Sequence, residues 1–124
     1  MLQRPDPFNA QCPTRQVLDR IGDKWAVLIL IMLERETLRF NELRRRIESI
    51  SQKMLSQTLK SLERDGLVRR EAFATVPVTV EYSLTDLGRT LASTVQALTL
   101  WAERHIGAVQ EAQRRYDRGE TRRP

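Results

Sequence analysis

The sequence predicts a mainly α-helical α+β fold, and three observations point to it. The first is an apolar run, KWAVLILIMLER (24–35), bounded by a potential capping aspartate and by charged residues. The second is one stretch of period-two alternation, in which Val78, Val80, Tyr82 and Leu84 alternate with Thr79, Glu81 and Ser83. The third is a chain of positions, Leu91, Val95, Leu98, Ala102, His105, Val109, Ala112 and Tyr116, that step alternately by four and three residues. Helical periodicity thus dominates, and the strand signal suffices for one hairpin.

Taken in order, residues 1–11 hold Pro5, Pro7 and polar residues without period, and are expected to form an extended arm. Cys12 and Pro13 open a first helix, because proline at the first helical position sacrifices an N–H that would be unpaired anyway. Val17, Leu18 and Ile21 make its apolar stripe, and Gly22 ends it. Asp23 caps the second helix, which is apolar nearly all round and so belongs at the centre of the domain. Thr37 to Phe40 is long enough only for a strand stub. Asn41 to Ile47 is a short helix with Leu43 and Ile47 inward and Arg44, Arg45 and Arg46 outward.

After a brief turn, Ser51 caps a helix that runs to about Asp65, with Gly66 as its stop. Its core face is Ser51, Met54, Leu55, Thr58, Leu59 and Leu62; the opposite face carries Lys53, Ser56, Gln57, Lys60 and Arg64, with Gln52 at the edge. Leu67 to Phe73 and Val78 to Leu84 then pair as a hairpin across a loop around Ala74 to Pro77. Thr85 caps a last helix whose 4–3 seam resembles a coiled coil. Roughly 30 helical residues extend about 45 Å, more than so small a domain can cover alone. The overhang invites a second chain. The tail 117–124 is expected to be flexible.

Short helix, turn, second helix and hairpin in that order make a winged helix-turn-helix, with the helix-turn-helix at about 41–65, the wing at about 67–84 and a dimerisation helix at about 86–116. Residues 12–116 are expected to form a single domain. In such units the second helix enters the DNA major groove.

Charge placement fits. The chain has 21 basic and 16 acidic residues, a net charge of +5, and a pI of about 10.1. Between Arg39 and Arg70 nine basic residues face four acidic ones, so the whole excess lies there. Charge alone suits either a polyanion or a solvated face. The recognition helix decides between them. No carboxylate falls in 49–62, SISQKMLSQTLKSL, where one would repel phosphates. Gln can bond adenine bidentately, Lys can reach guanine, and Ser can bond either. The expected DNA-binding residues are Arg39, Asn41, Arg45, Ser51, Gln52, Lys53, Ser56, Gln57, Lys60, Arg69, Arg70 and Thr75. Arg69 and Arg70 would grip the backbone at the base of the wing.

Other classes find little support. No glycine-rich phosphate loop or metal-ligand cluster is present, and the only histidine, His105, lies on the helix seam. No enzyme, metal or cofactor is expected. The longest apolar run, Trp25 to Leu33, falls short of the roughly 20 residues of a membrane span. The N-terminus lacks a signal-peptide pattern. A cytoplasmic protein is the expectation.

RFNELRRRIESISQKMLSQTLKSLERDGLVRRE, then VPVTVEYSLTDLGRTL and LWA, resembles the HxlR family of bacterial transcriptional regulators over roughly residues 12–104. The signatures are ISxKML, LExDGLV and VEYxLTxxG, with Cys12 and GDKW at 22–25. The resemblance implies a dimer that binds inverted repeats near promoters, most simply as a repressor. It also implies an interface made by the first and last helices, here including Leu91, Val95, Leu98, Trp101, Ala102, His105 and Val109. The chain departs from the family at Ser49, where Gly is common before ISxKML, and at Val78, where VPP is common. Several members sense electrophiles or oxidants through a cysteine at the position of Cys12. A helix N-terminus favours thiolate, and Arg15 lies one turn away. The other reading of Cys12 is a buried, inert thiol. In that case a small molecule could act instead, in a pocket between Trp25, Trp101 and the aliphatic helices.

Overall fold

The computed structural model describes residues 6–9 and 11–120. The arm expected at 1–11 and the tail expected at 117–124 therefore lie partly outside the described residues. Five helices and three strands follow in the order α1 (Pro13–Ile21), α2 (Lys24–Arg35), β1 (Leu38–Arg39), α3 (Phe40–Arg46), α4 (Gln52–Arg64), β2 (Val68–Phe73), β3 (Thr79–Leu84) and α5 (Asp86–Asp117). The strands form one antiparallel sheet in the order β1-β3-β2.

The core forms around α2. Asp23 starts it by accepting the amides of Trp25 and Ala26. Ala26, Ile29, Leu30 and Leu33 are buried, and α2 packs against α1, α4, α5 and β3. Leu43 from α3, Leu55, Leu59 and Leu62 from α4, and Ala92 and Val95 from α5 close the core around it. Burying each such aliphatic side chain contributes about 1.5–3 kcal/mol.

Two joints set how α4 is held. Ser51 caps it by accepting the Met54 amide at 3.0 Å. At its far end Gly66 takes a left-handed φ of 76°. The Thr85 hydroxyl donates to the Gly66 carbonyl at 2.6 Å and accepts the Gly88 amide at 3.0 Å, so one side chain ties the end of α4 to the start of α5.

Several expectations need correction. The α1 stripe is not covered: Val17 and Leu18 are exposed, and no residue of α1 is buried. Met54, expected in the core face of α4, is exposed, while Leu55, Thr58, Leu59 and Leu62 are buried. Period-two burial fails along β3. Only Leu84 is fully buried, Val80 and Tyr82 are half-buried, and Val78 is exposed. The hairpin reaches past the helical body, so only its base, Val68 and Leu84, lies over the core.

The long seam divides as well. Val95 is buried in its own chain's core and so is not free to face a second chain, while Leu91 is half-buried against that core. Leu98, Trp101, Ala102, His105 and Val109 are exposed. The seam thus serves two purposes, with its first turns facing inward and the rest outward.

Candidate nucleic-acid interface

The amphipathic pattern of α4 sorts its side chains. Leu55, Thr58, Leu59 and Leu62 are buried, while Gln52, Lys53, Gln57, Lys60 and Arg64 are exposed and Ser56 is half-buried. Lys53, Gln57, Lys60 and Arg64 fall at helical spacing, which places them in one stripe. The buried hydroxyl of Thr58 is satisfied by donating to the Met54 carbonyl at 2.7 Å. Ser51 is exposed, but its oxygen already serves as the cap.

The turn before α4 holds a feature that the residue types do not announce. Ser49 has a φ of 73°, in the left-handed region that favours glycine. The chain keeps the glycine geometry with a side chain present.

Ahead of the turn, α3 offers Asn41, Arg44, Arg45 and Arg46, all exposed. Arg46 pairs with Glu36 at 2.9 Å and so has part of its charge already occupied. Glu42 turns back to accept the Arg39 amide at 2.9 Å. Between α3 and the wing lies an open cleft of about 700 Å³. Arg39, Asn41 and Arg45 line one side, and Pro77, Val78 and Glu81 the other.

The wing register refines the arginine expectation. Arg69 pairs with Ser83 and Arg70 with Tyr82, so the two guanidiniums leave the sheet on opposite faces. Arg70 shares the face of Tyr82 and Leu38, whereas Arg69 shares that of Arg39 and Glu81. Thr75 is exposed, but its hydroxyl donates to the Pro77 carbonyl at 2.7 Å. Its proton is thus committed within the loop.

Residues 20–110 match the model of the HxlR-like helix-turn-helix family. The chain belongs to that family. It is 45% identical over 108 residues to YtfH of Escherichia coli, an uncharacterized HTH-type transcriptional regulator, covering 87% of this chain and 86% of the relative. A putative transcriptional regulator ytfH from Salmonella typhimurium superposes with a TM-score of 0.84 at 42% identity, covering 90% of this chain and 100% of that one. The redox regulator HypR in its oxidized form superposes with a TM-score of 0.69 at 46% identity, over 74% of this chain and 95% of that one.

The chain is therefore an HxlR-like transcriptional regulator of winged helix-turn-helix fold. Among the described residues, no helix of this HxlR-like protein is long and apolar enough to cross a membrane.

In this HxlR-like chain Cys12 is the N-cap of α1 and is 8% exposed. The Asp6 amide donates to its sulfur at 3.2 Å. That hydrogen bond lowers the thiol pKa, burial opposes it, and the Thr14 and Arg15 amides lower it further. The charge of Arg15 is directed elsewhere, since its guanidinium donates to the Phe8 carbonyl at 3.4 Å. On α5, His105 stacks on Trp101 with centroids 4.7 Å apart. Its Nδ1 lies 2.9 Å from the Trp101 carbonyl, which can only accept, so Nδ1 carries the proton.

Trp25 packs against the core beneath Lys24, and Trp101 is 56% exposed on α5. Neither lines the groove of about 840 Å³ between α1, the end of α4 and the start of α5, where Arg20 and Asp65 pair at 2.6 Å.

Proposed function

We propose that this protein is a homodimeric, sequence-specific regulator that binds inverted repeats in double-stranded promoter DNA, most simply as a cytoplasmic repressor. In this reading α4 lies in the major groove. Gln52, Lys53, Ser56, Gln57 and Lys60 meet base edges and nearby phosphates, and Ser51 lies at the groove's edge. Arg39, Asn41, Arg45, Arg69 and Arg70 hold the backbone. Thr75 contributes through shape rather than through a free hydroxyl.

The observation that carries the reading is the division of α4. Its leucines are consumed by the core, which leaves an exposed stripe with amides and cations and no carboxylate before Glu63. A carboxylate among those side chains would repel phosphates a few ångströms away. Selection of bound DNA from a random pool tests it. An inverted repeat with half-sites about one helical turn apart, or a multiple of that, is expected. Failure to enrich any sequence at low salt overturns the reading.

The exposed apolar residues of α1 and of the second half of α5 support the dimer. Val17, Leu18, Leu98 and Trp101 each leave about half of their surface exposed.

We further propose that Cys12 responds to electrophiles or oxidants. The lowered thiol pKa supports this, as does the likeness to a structure described as the redox regulator HypR. The thiolate would add to a quinone. Alternatively, two Cys12 thiols, one from each copy, would be oxidised to a disulfide while diamide takes up two electrons and two protons. Cys12→Ser is expected to keep its DNA affinity and to lose release by diamide or quinone. Persistent release would remove Cys12 from the mechanism.

The groove beside Arg20 and Asp65 favours a second reading, in which a small molecule is the effector and Cys12 is structural. A thermal shift with quinones, flavins or metabolites that survives Cys12→Ser would select it.

A further inference from the structure

Asp65 stands where a carboxylate is disfavoured. It is the C-cap of α4, beside the carbonyl end of that helix, where the dipole is negative. Arg20 meets it from the last turn of α1. The Arg20 Nε donates to the Asp65 carboxylate at 2.6 Å, and only 26% and 28% of the two side-chain surfaces are exposed. A cation is favoured at the C-terminal end of a helix. Here one guanidinium lies at the ends of two.

The pair matters because α1 is otherwise lightly held. It packs against α2, but no residue of α1 is buried. Among the described residues, no other side-chain hydrogen bond or ion pair runs from α1 to another helix or strand. Gly22 and Asp23 join it to α2, and their amides donate back to the Leu18 and Arg20 carbonyls of α1 itself. By contrast, α4 is fixed by Leu55, Leu59 and Leu62 in the core. The ion pair thus ties a loosely held helix to a firmly held one, two residues from the joint at Gly22. A helix of 9 residues is about 13.5 Å long, so fixing its last turn sets where Val17 and Leu18 lie.

We propose that Arg20, acting through Asp65, is a positioning residue for DNA recognition: it locks α1 to the end of α4 and so helps set the distance between the two recognition helices of the dimer. The inference rests on the dimeric, DNA-binding reading given above. In that dimer α1 carries part of the association face and α4 the base-reading face, and this joint connects them. One extra base pair between half-sites moves one of them by about 3.4 Å and turns it by about 35°. A locked joint rejects that shift, and a loosened one follows it. Because α5 shares the association face in that dimer, losing the joint relaxes the spacing rule rather than abolishing it.

The test uses the full chain on a selected inverted repeat at its best spacing, on the same repeat with one base pair added or removed, and on a single half-site. Wild type is expected to lose about tenfold or more on either spacing change. Arg20→Met keeps the aliphatic stem and removes the charge, and Asp65→Asn removes the other charge. Each should bind the single half-site as wild type does. Each should bind the best repeat about threefold to fivefold more weakly, the loss expected for a partly exposed ion pair. On the shifted repeats each should match or exceed wild type. The double variant should do no worse than either single one, because the two residues act as a unit. Arg20→Lys should restore most of the spacing discrimination. Circular dichroism checks the fold, and if Asp65→Asn does not fold, Arg20→Met against Arg20→Lys decides. Wild-type spacing discrimination in Arg20→Met overturns the joint and leaves the major-groove reading intact. An equal loss on repeat and half-site does the same. A wild type that binds no repeat more tightly than a half-site overturns the dimeric reading and the joint with it.

Discussion

Cys12 combines low exposure with a hydrogen bond to its sulfur, and the two act in opposite directions. The Asp6 amide favours the thiolate, and burial disfavours it less. A thiol made more acidic by folding stabilises the folded state above the unfolded thiol's pKa, and that contribution is lost as pH falls through the folded value. Reactivity follows the same shift. The pH profile for reaction with methyl methanethiosulfonate is expected to have its midpoint below the ordinary thiol value of about 8.5. Asp6→Pro, which deletes the donating N–H, should move the midpoint back up. A wild-type midpoint at or above that of free cysteine would mean that burial wins. Gly88 illustrates a different single-residue constraint. A Cβ there would stand 2.0 Å from the Leu67 carbonyl oxygen, which is backbone and cannot swing away. Gly88→Ala is expected to cost about 3 kcal/mol or more in a urea melt. A loss below roughly 1 kcal/mol would mean that the α5 start can slide without disturbing the wing.

Among the elements, the turn between α3 and α4 carries the clearest cost. A non-glycine residue in the left-handed region is strained by about 1–2 kcal/mol, whereas glycine adds about 0.5–1 kcal/mol of entropy loss. With Ser49 at a φ of 73°, Ser49→Gly is expected to stabilise the protein by about 1 kcal/mol without altering the operator preference. No gain in urea midpoint would show that the serine is not strained there. The element types were legible in the sequence because each had its own signal. Asp23, Ser51 and Thr85 marked helix starts, and α4 showed one apolar and one polar face. Depth of cover was not legible. The alternation of Val78, Val80, Tyr82 and Leu84 announces a strand, but it does not say that the helical body ends beneath Leu84. The α5 seam has one period throughout, yet its first turns meet the chain's own core and the later ones do not. Periodicity records that a face is apolar and is silent about which surface covers it. Of the candidate site, the α4 stripe could be read from spacing. The opposite faces of Arg69 and Arg70, the inward hydroxyl of Thr75 and the Ser49 backbone depend on pairing register or φ, which residue types do not encode.

Across the whole molecule, charge and apolar surface are segregated. The basic excess lies between Arg39 and Arg70, while the uncovered large apolar side chains, apart from Phe8, Leu28, Met54 and the wing's Phe73, Val76 and Val78, lie on α1 and α5. A helix of 32 residues extends about 48 Å, and only its first turns bury side chains. In the proposed dimer such a surface is the association interface. In that proposed dimer the segregation would let one body present two copies of α4 to one duplex without the association surface competing for the DNA. It also makes the association separable from the fold, because no residue of α1 contributes a buried side chain. Val17→Glu combined with Leu18→Glu is therefore expected to leave the circular dichroism spectrum and thermal midpoint close to wild type. Sedimentation velocity should show a monomer where wild type shows a dimer. Two linked sites on one duplex bind far more tightly than one, by roughly 10²–10⁴-fold. The double variant should accordingly lose at least about a hundredfold in affinity for an inverted repeat while a single half-site binds as before. A variant that stays dimeric with full affinity would place the interface on α5 alone. Leu98→Glu with Trp101→Glu would then be the pair that separates the copies.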